Sequence, residues 1–261
     1  MTKNWVERMW GLWQVSRKRA RSEQDYLEFQ SYQAQWLIDY LGQHSVTLPG
    51  KHLLDLGSGV GGYSLSFLKA GARVTSVDLV QPTRPEALDL PLQQVRGDAL
   101  RIPLCSESVD LVFCASLIEH VRDPQVLLEE IRRVLKPGAV AYVSFPPYYS
   151  PMGGHEFAPY HYLGERIALR MVSRRRVVAE WVKSMYSANE EAASFDDLYA
   201  GWGLYQMTIR KMRRLIRVVD LVCEDLSTRY LPVSAIRWPI VGELLTWHAQ
   251  FLLRKPMARD R

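Results

Sequence analysis

A glycine-rich turn preceded by an aspartate is the first segment of the chain with the residue types of a ligand site. Residues 55–62 read Asp-Leu-Gly-Ser-Gly-Val-Gly-Gly and follow a short apolar run, which predicts a turn between a buried strand and a helix. Glycines there allow positive φ angles and leave the backbone open to a close ligand. In a parallel sheet this turn lies at the carboxyl edge of the strands, where ligands bind.

The glycine-rich turn alone does not show which of two ligands is bound. Gly57, Gly59 and Gly62 also satisfy the dinucleotide pattern G-x-G-x-x-G. Asp78 ends the second predicted strand, roughly 20 residues further on, where a carboxylate accepts hydrogen bonds from a ribose diol. NAD and S-adenosylmethionine both carry that diol, so Asp78 does not separate them.

Two other aspartates favour S-adenosylmethionine. Asp55 lies two residues before the glycines, where it would crowd a pyrophosphate but attract a cationic sulfonium or amino group. Asp98 ends the third predicted strand and can accept from the adenine amino group, while Ala99 offers its backbone N–H to the ring. We therefore predict S-adenosylmethionine as the cofactor, with an NAD-dependent oxidoreductase as the alternative.

A proline-, glycine- and tyrosine-rich segment, residues 146–164, carries the candidate proton acceptors. His155 and His161 are suited to take a hydroxyl proton near neutral pH, and Glu156 could orient His155. We predict one of the two histidines as the general base. A metal bound by all three residues is the alternative; because their spacing is not that of ligands on a helix face, we expect no metal.

The elements that position these residues alternate between strand and helix. Up to about residue 48 the apolar spacing predicts helices, and from residue 52 onward five predicted strands, the fifth at residues 139–145, alternate with helices. Such alternation predicts parallel β-α-β units in a sheet covered on both faces. An amphipathic helix at residues 208–220 precedes two closing strands.

These motifs, in order, resemble those of class I S-adenosylmethionine-dependent methyltransferases over about residues 26–145: LLDLGSGVGGYS, VTSVDL, GDALRIPLCSESVDLVFCASLIEHV and LKPGAV. The resemblance implies an α/β fold with a doubly wound, mostly parallel seven-stranded sheet whose last strand is antiparallel. It also implies that His120 packs near the methionine end of the cofactor. The cofactor contacts that it implies come from Asp55, Gly57, Ser58, Gly59, Asp78, Leu79, Asp98, Ala99, Ser116 and Leu117.

The resemblance also suggests how the chain is divided. We expect an N-terminal helical lid at residues 1–48 and a methyltransferase domain at residues 49–261. The acceptor should be bound by an insertion at about residues 147–207, because this segment lies outside the alternating elements that hold the cofactor.

The composition and the start of the chain indicate where in the cell the protein is expected to work. The 261 residues are 48% hydrophobic and 23% charged, as in ordinary globular proteins, and no apolar run reaches the roughly 20 residues that span a bilayer. The start of the chain has no secretory signal pattern, so we expect a cytoplasmic location. Basic residues between Arg17 and Arg21 follow three tryptophans, which predicts either a lid or peripheral contact with the anionic inner face of a membrane.

The acceptor is expected to be a hydroxyl of a small molecule, a glycan or a lipid-linked intermediate, because tyrosines beside prolines suit stacking on sugars or apolar chains. A nucleic-acid acceptor is disfavoured, since residues 145–148 read Phe-Pro-Pro-Tyr and lack the polar first residue of the tetrad that binds exocyclic amines. A non-catalytic module that binds the cofactor or an anionic surface is a further alternative. The oligomeric state stays open.

Overall fold

A single seven-stranded sheet organises the protein. The computed structural model describes residues 5–19, 21–80, 92–173 and 203–257. The strands are β1 (His52–Leu56), β2 (Arg73–Asp78), β3 (Leu92–Arg96), β4 (Val109–Ala115), β5 (Leu135–Phe145), β6 (Val222–Thr228) and β7 (Ala249–Arg254). The helices are α1 (Trp5–Lys18), α2 (Glu23–Gln43), α3 (Gly62–Lys69), α4 (Pro124–Val134), α5 (Glu165–Ser173), α6 (Ile209–Val218) and α7 (Val241–Leu245).

The sheet has the strand order β3-β2-β1-β4-β5-β7-β6. The first five strands run parallel, and β7 lies antiparallel between β5 and β6. This confirms the predicted fold class, including the antiparallel last strand. Because β6 is antiparallel to β7, it runs parallel to β5, and its carboxyl end lies at the same edge as the carboxyl ends of β1 and β4.

The fifth strand begins earlier than the sequence predicts. The strand was predicted at residues 139–145, but β5 starts at Leu135, directly after α4, and includes Lys136, Pro137 and Gly138. Leu135 pairs with Val109 of β4 and is fully buried, with a register shift before the next pair. Because Leu135 is buried and pairs with Val109, the strand includes Lys136, Pro137 and Gly138, a sequence that is typical of a turn.

The helix boundaries follow local capping signals. Asp123 accepts hydrogen bonds from the backbone N–H groups of Gln125 and Val126, and Pro124 occupies the first position of α4. Thr208 caps α6 by accepting from the N–H of Lys211. Helix α6 therefore begins where the sequence analysis predicts an amphipathic helix.

Two hydrophobic cores cover the two faces of the sheet. One includes Leu128 of α4 and Met212 of α6, and the other includes Leu37 of α2 and Phe67 of α3. Helix α2 therefore packs in the same core as β1, although the sequence places it in the N-terminal lid. The expected domain boundaries stay predictions.

Helix α1 buries little of its apolar surface. Only Leu12 is buried, whereas Trp5, Trp10 and Trp13 are 43%, 59% and 47% exposed. Across the described ranges, which omit residues 81–91 and 174–202, no helix combines the length and the apolar character needed to cross a membrane. Part of the insertion, residues 174–202, also lies outside the described residues.

Candidate active site

The glycine-rich turn connects β1 to α3 at the carboxyl edge of the sheet. Gly57, Gly59 and Gly61 have φ angles of 74°, 53° and 84°, a left-handed conformation that favours glycine. A Cβ atom at Gly57 would lie 3.0 Å from the side chain of Leu117. Glycine is therefore required at position 57 for two reasons: the turn needs a positive φ angle there, and Leu117 leaves no room for a side chain.

Asp78 links this turn to the end of β2. Its Oδ2 atom accepts a hydrogen bond from the backbone N–H of Gly59 at 2.8 Å, and its Oδ1 atom accepts from Val80 at 3.0 Å. In the described part of the chain, no lysine or arginine nitrogen lies within 4.0 Å of this carboxylate. Leu79, next along the chain, is 40% exposed.

Asp98 lies beyond the end of β3, at the same edge. It is exposed, and its Oδ1 atom accepts from the N–H of Leu100 at 2.8 Å. Ala99 is half-buried beside it and packs against the hydrophobic core. The strand order therefore places Asp78 and Asp98 on neighbouring strands, as the ribose and adenine contacts require.

Asp55 lies beneath the turn. It is 1% exposed, and its Oδ2 atom accepts a hydrogen bond from Ser64 Oγ in α3 at 2.5 Å. Burial raises the pKa of Asp55 to about 7, and the nearby charge of Asp78 also raises it, against the opposing effect of the Ser64 hydrogen bond. Asp55 thus joins β1 to α3, and Ser58 of the turn is buried above it.

The end of β4 forms the next part of the cleft. Ser116 is exposed and has a left-handed φ angle of 54°, which is unusual for a residue with a side chain. Its Oγ atom lies 3.2 Å from Nε2 of His248, which immediately precedes β7. Leu117 therefore lies beside the glycine turn, and Ser116 lies beside His248; their predicted contacts with the cofactor stay predictions.

Glu119, on the loop after β4, lies close to His155, on the loop after β5. Glu119 is 1% exposed, and in the described residues neither carboxyl oxygen has a hydrogen-bond partner. His155 Nε2 lies 3.7 Å from Glu119 Oε1, and the rings of His120 and His155 meet edge to face at 5.0 Å. Ligand atoms of these three residues lie within 4.8 Å of one another, a spacing that could accommodate a metal ion.

The protonation states of this pair follow from burial. Burial raises the pKa of Glu119 to about 8. For His155, burial together with the positive charges of neighbouring groups, His120 first among them, lowers the pKa to about 3. His155 is therefore a neutral imidazole at physiological pH. Nδ1 of His120 lies 2.6 Å from the carbonyl oxygen of Gly203, which fixes a proton on Nδ1.

The other two predicted catalytic residues are placed differently. His161 is buried between the rings of Tyr148 and Tyr162, at centroid distances of 5.7 and 4.0 Å, and beneath Gly154. Burial lowers the pKa of His161. Glu156 lies in the short helix His155–Phe157, but its side chain is outside the described part of the structure, so its predicted orienting role is untested.

Sequence reasoning missed a polar cluster on the other side of Ser116. Its members come from α2, α3, the residues after β6 and the residue before β7, and only His248 touches a predicted site residue. No motif joins them, because four separate elements bring them together. The cluster consists of Gln33, Tyr63, Arg229, Tyr230 and His248.

The strand order, the bare glycine turn and the carboxylates near the ends of β1, β2 and β3 together form the cleft in which the sequence analysis places S-adenosylmethionine. Comparisons with known proteins agree. A family model described as a methyltransferase domain matches residues 54–143. Uncharacterized methyltransferases of Mycobacterium bovis and Mycobacterium tuberculosis are 35% and 34% identical to this chain over 140 residues, which are 52% of this chain and 55% of theirs. This chain thus spans about half the length of the curated relatives that it matches.

Solved structures share the fold. An S-adenosylmethionine-dependent methyltransferase from Mesorhizobium loti has a TM-score of 0.54 at 18% identity, over 85% of this chain and 97% of that one. A geranyl diphosphate C-methyltransferase from Streptomyces coelicolor has a TM-score of 0.55 at 17% identity, over 87% and 81%. Residues 54–143 therefore match a methyltransferase domain, and the chain shares the fold of these S-adenosylmethionine-dependent methyltransferases.

Proposed function

We propose that the protein methylates a hydroxyl group of a small molecule, a glycan or a lipid-linked acceptor. The observation that carries this proposal is the pair Glu119–His155: the neutral imidazole of His155, whose side chain is 16% exposed, lies 3.7 Å from the buried carboxyl group of Glu119, on the loop that begins with Ser116 and Leu117. A hydroxyl is a poor nucleophile until its proton is removed, and this pair can remove it.

The cleft fits S-adenosylmethionine in shape and charge. A turn with positive φ at Gly57 and Gly59 keeps the backbone free of side chains. Asp78 and Asp98, which form no ion pair within the described residues, suit a ligand with hydroxyl and amino groups. When bound, S-adenosylmethionine supplies a methyl group on a cationic sulfur. Asp55, with a pKa of about 7, would add a favourable negative charge once ionised.

His155 then has a defined task. The imidazole of His155 would take the hydroxyl proton of the acceptor as the acceptor is methylated. The carboxylate of Glu119 stabilises the imidazolium that results. Because the pKa of Glu119 is about 8, its ionised fraction rises with pH. We therefore expect the turnover rate to increase between pH 6.5 and 8.5, the range in which Glu119 ionises.

The test begins with acceptors. Extract fractions are incubated with isotopically labelled S-adenosylmethionine, and labelled products are identified by mass spectrometry. An O-methyl product supports the proposal, whereas an exclusively N- or C-methylated product would contradict it. Tighter binding of NADH than of S-adenosylhomocysteine would favour the oxidoreductase alternative instead.

With the acceptor known, His155→Ala should reduce kcat by ~10²- to 10⁴-fold, the usual contribution of a general base, with S-adenosylhomocysteine affinity unchanged. Glu119→Gln should flatten the pH profile. His44→Ala is the matched control, because His44 lies at the end of α2 beside Asp225, away from the cleft. Full activity of His155→Ala would remove His155 as the base and leave His161 to be tested in the same way.

A further inference from the structure

Large apolar side chains are exposed along the segment that joins β6 to β7. Single exposed apolar residues are common on protein surfaces, but here they cluster between residues 233 and 247. Four of them, at positions 233, 238, 245 and 247, line one cavity of about 380 Å³, so they form a continuous apolar patch. The members of this apolar patch are Val233, Trp238, Ile240, Val241, Leu244, Leu245 and Trp247.

The apolar patch is held in place by the rest of the fold. Ile236, within the segment, is buried in the core that also contains Met212 of α6. A Cβ atom on Gly242 would lie 2.8 Å from the backbone oxygens of Ala235 and Ile236, so α7 packs closely on the preceding turn. Ile240 has a φ angle of 63°, which is rare for a β-branched residue, and its side chain is 77% exposed. Strain of this kind clusters at functional sites.

Helix α6 presents a basic face next to the apolar patch. Glu243 of α7 accepts hydrogen bonds from the backbone N–H groups of Ile209 and Arg210 at 3.0 and 2.9 Å, so the patch adjoins the N-terminus of α6. The helix contains no acidic residue. Among the described residues, no carboxylate oxygen lies within 4.0 Å of any of its exposed cations. The cations of this basic face are Arg210, Lys211, Arg213, Arg214 and Arg217.

The apolar patch lies at the same edge of the sheet as the cofactor cleft. Strand β6 ends at Thr228 and β7 begins at Ala249, so the segment between them starts and ends at this edge. Its last residue, His248, has Nε2 at 3.2 Å from Oγ of Ser116. Anything that binds the apolar patch is therefore close to the cleft.

We propose that the apolar patch and the basic face of α6 together dock the protein on an anionic phospholipid bilayer. The cations would lie among the phosphate headgroups, and the apolar side chains would enter the boundary between headgroups and acyl chains. A nucleic acid would engage only the cations and leave the apolar patch in water. Docking of this kind does not depend on the proposed methyl transfer, but it would bring lipid-linked acceptors to the cleft.

Helix α1 also exposes tryptophans near cations, but two of these cations already lie over aromatic rings. The guanidinium carbon of Arg17 is 4.8 Å from the ring centroid of Trp13, and that of Arg19 is 5.3 Å from the ring centroid of Phe29. Because α1 packs against α2, on the face of the sheet opposite α6, variants in α1 and in α6 test two different surfaces.

The test is co-sedimentation of the full chain with vesicles of phosphatidylcholine that contain about 30% phosphatidylglycerol, and with vesicles of phosphatidylcholine alone. Binding to the anionic vesicles should be at least ~10-fold tighter and should weaken as the salt concentration rises. Arg213→Gln combined with Arg214→Gln should weaken it by about 10- to 30-fold, since each basic residue near an anionic surface contributes about fivefold. Trp238→Ser should weaken it by about 10-fold and reduce the quenching of tryptophan fluorescence by brominated acyl chains.

Matched variants in α1 carry the same chemical changes. Arg17→Gln combined with Lys18→Gln removes the same charge, and Trp10→Ser removes a tryptophan of similar exposure, 59% against 64% for Trp238. Both should bind the anionic vesicles as the unmodified protein does. S-adenosylhomocysteine affinity, measured by calorimetry, should be unchanged in all variants, which checks their folding and tests the cofactor site separately.

Three results would overturn the proposal. The first is equal binding to the two kinds of vesicle, and the second is loss of binding in the α1 variants instead of the α6 variants. The third is a duplex oligonucleotide that binds more tightly than the anionic vesicles and is unaffected by Trp238→Ser, which would identify a nucleic-acid surface.

Discussion

Asp78 holds the cofactor cleft together even before a ligand contributes contacts. Its two oxygens accept hydrogen bonds from the glycine turn and from the residues after β2, and each oxygen keeps further lone pairs for a ribose diol. The carboxylate thus fixes the turn and presents acceptors to the ligand at the same time.

Substitution of Asp78 tests this role. Asp78→Ala should weaken S-adenosylhomocysteine binding by ~1.5–3 kcal/mol, since it removes a charge-assisted hydrogen bond and loosens Gly59. Isothermal titration calorimetry gives the difference directly. Asp220→Ala is the control, because Asp220 is exposed and pairs with Arg132 outside the cleft. Equal affinities in the two variants would remove the ribose assignment.

Residues of the cofactor side could be predicted from sequence because they lie in short continuous motifs. Asp55, Asp78 and Asp98 each lie at or near the carboxyl end of a strand, and the parallel order brings these ends together. The rest of the site could not be predicted in this way. Glu119 was visible only as the neighbour of His120, and Arg229 belongs to no motif, so the role of each depends on burial and on contacts between distant segments.

At the scale of elements, the packing of α2 on α3 sets the position of the glycine turn. Gln30 of α2 accepts a hydrogen bond from the N–H of Gly62 at 2.9 Å. A Cβ atom on Gly62 would lie 2.6 Å from Cβ of Gln30 and 2.7 Å from the backbone oxygen of Leu27. There is no room for a side chain between the two helices at this point.

Gly62→Ala should therefore push α3 away from α2. We expect a loss of ~1–3 kcal/mol in the free energy of unfolding and weaker S-adenosylhomocysteine binding, because the turn moves with the helix. Gly42→Ala is the matched control in α2: nothing lies within 4 Å of its added Cβ, so helix propensity should raise stability by up to ~1 kcal/mol. Urea unfolding of both variants measures the contrast, and equal effects would show that the α2–α3 contact is not tight.

Elements with both a periodic pattern and an end signal were predicted well, as α4 and α6 show. The start of β5 was not, since its register depends on the pairing of Leu135 with Val109 across the sheet. The contact between the loop after β5 and the loop after β4 was also not predictable. The pairing of His155 with Glu119 depends on tertiary packing that brings together residues 36 positions apart in the chain.

At the scale of the whole molecule, titratable groups in the cleft make the stability of the fold depend on pH. Burial raises the pKa values of Asp55 and Glu119 to about 7 and about 8, so the folded protein keeps protons that the unfolded chain releases. Their contribution to stability is complete below the ordinary carboxyl pKa and is lost as pH rises through these values. Buried His155, with its lowered pKa, acts in the opposite sense: its contribution is present above the ordinary histidine pKa and is lost as pH falls toward about 3.

Glu119→Gln separates these effects, because glutamine has the same shape and does not ionise. From pH 5.5 to 8.5 the melting temperature of the variant should rise relative to that of the unmodified protein, by ~2–4 °C for each kcal/mol that ionisation costs the latter. Glu129→Gln, on the exposed face of α4, should follow the unmodified protein at every pH. Parallel curves for Glu119→Gln would show that Glu119 is not held protonated. If His155 is the base that we propose, the same ionisation that destabilises the protein should increase its turnover, because the carboxylate of Glu119 would stabilise the His155 imidazolium.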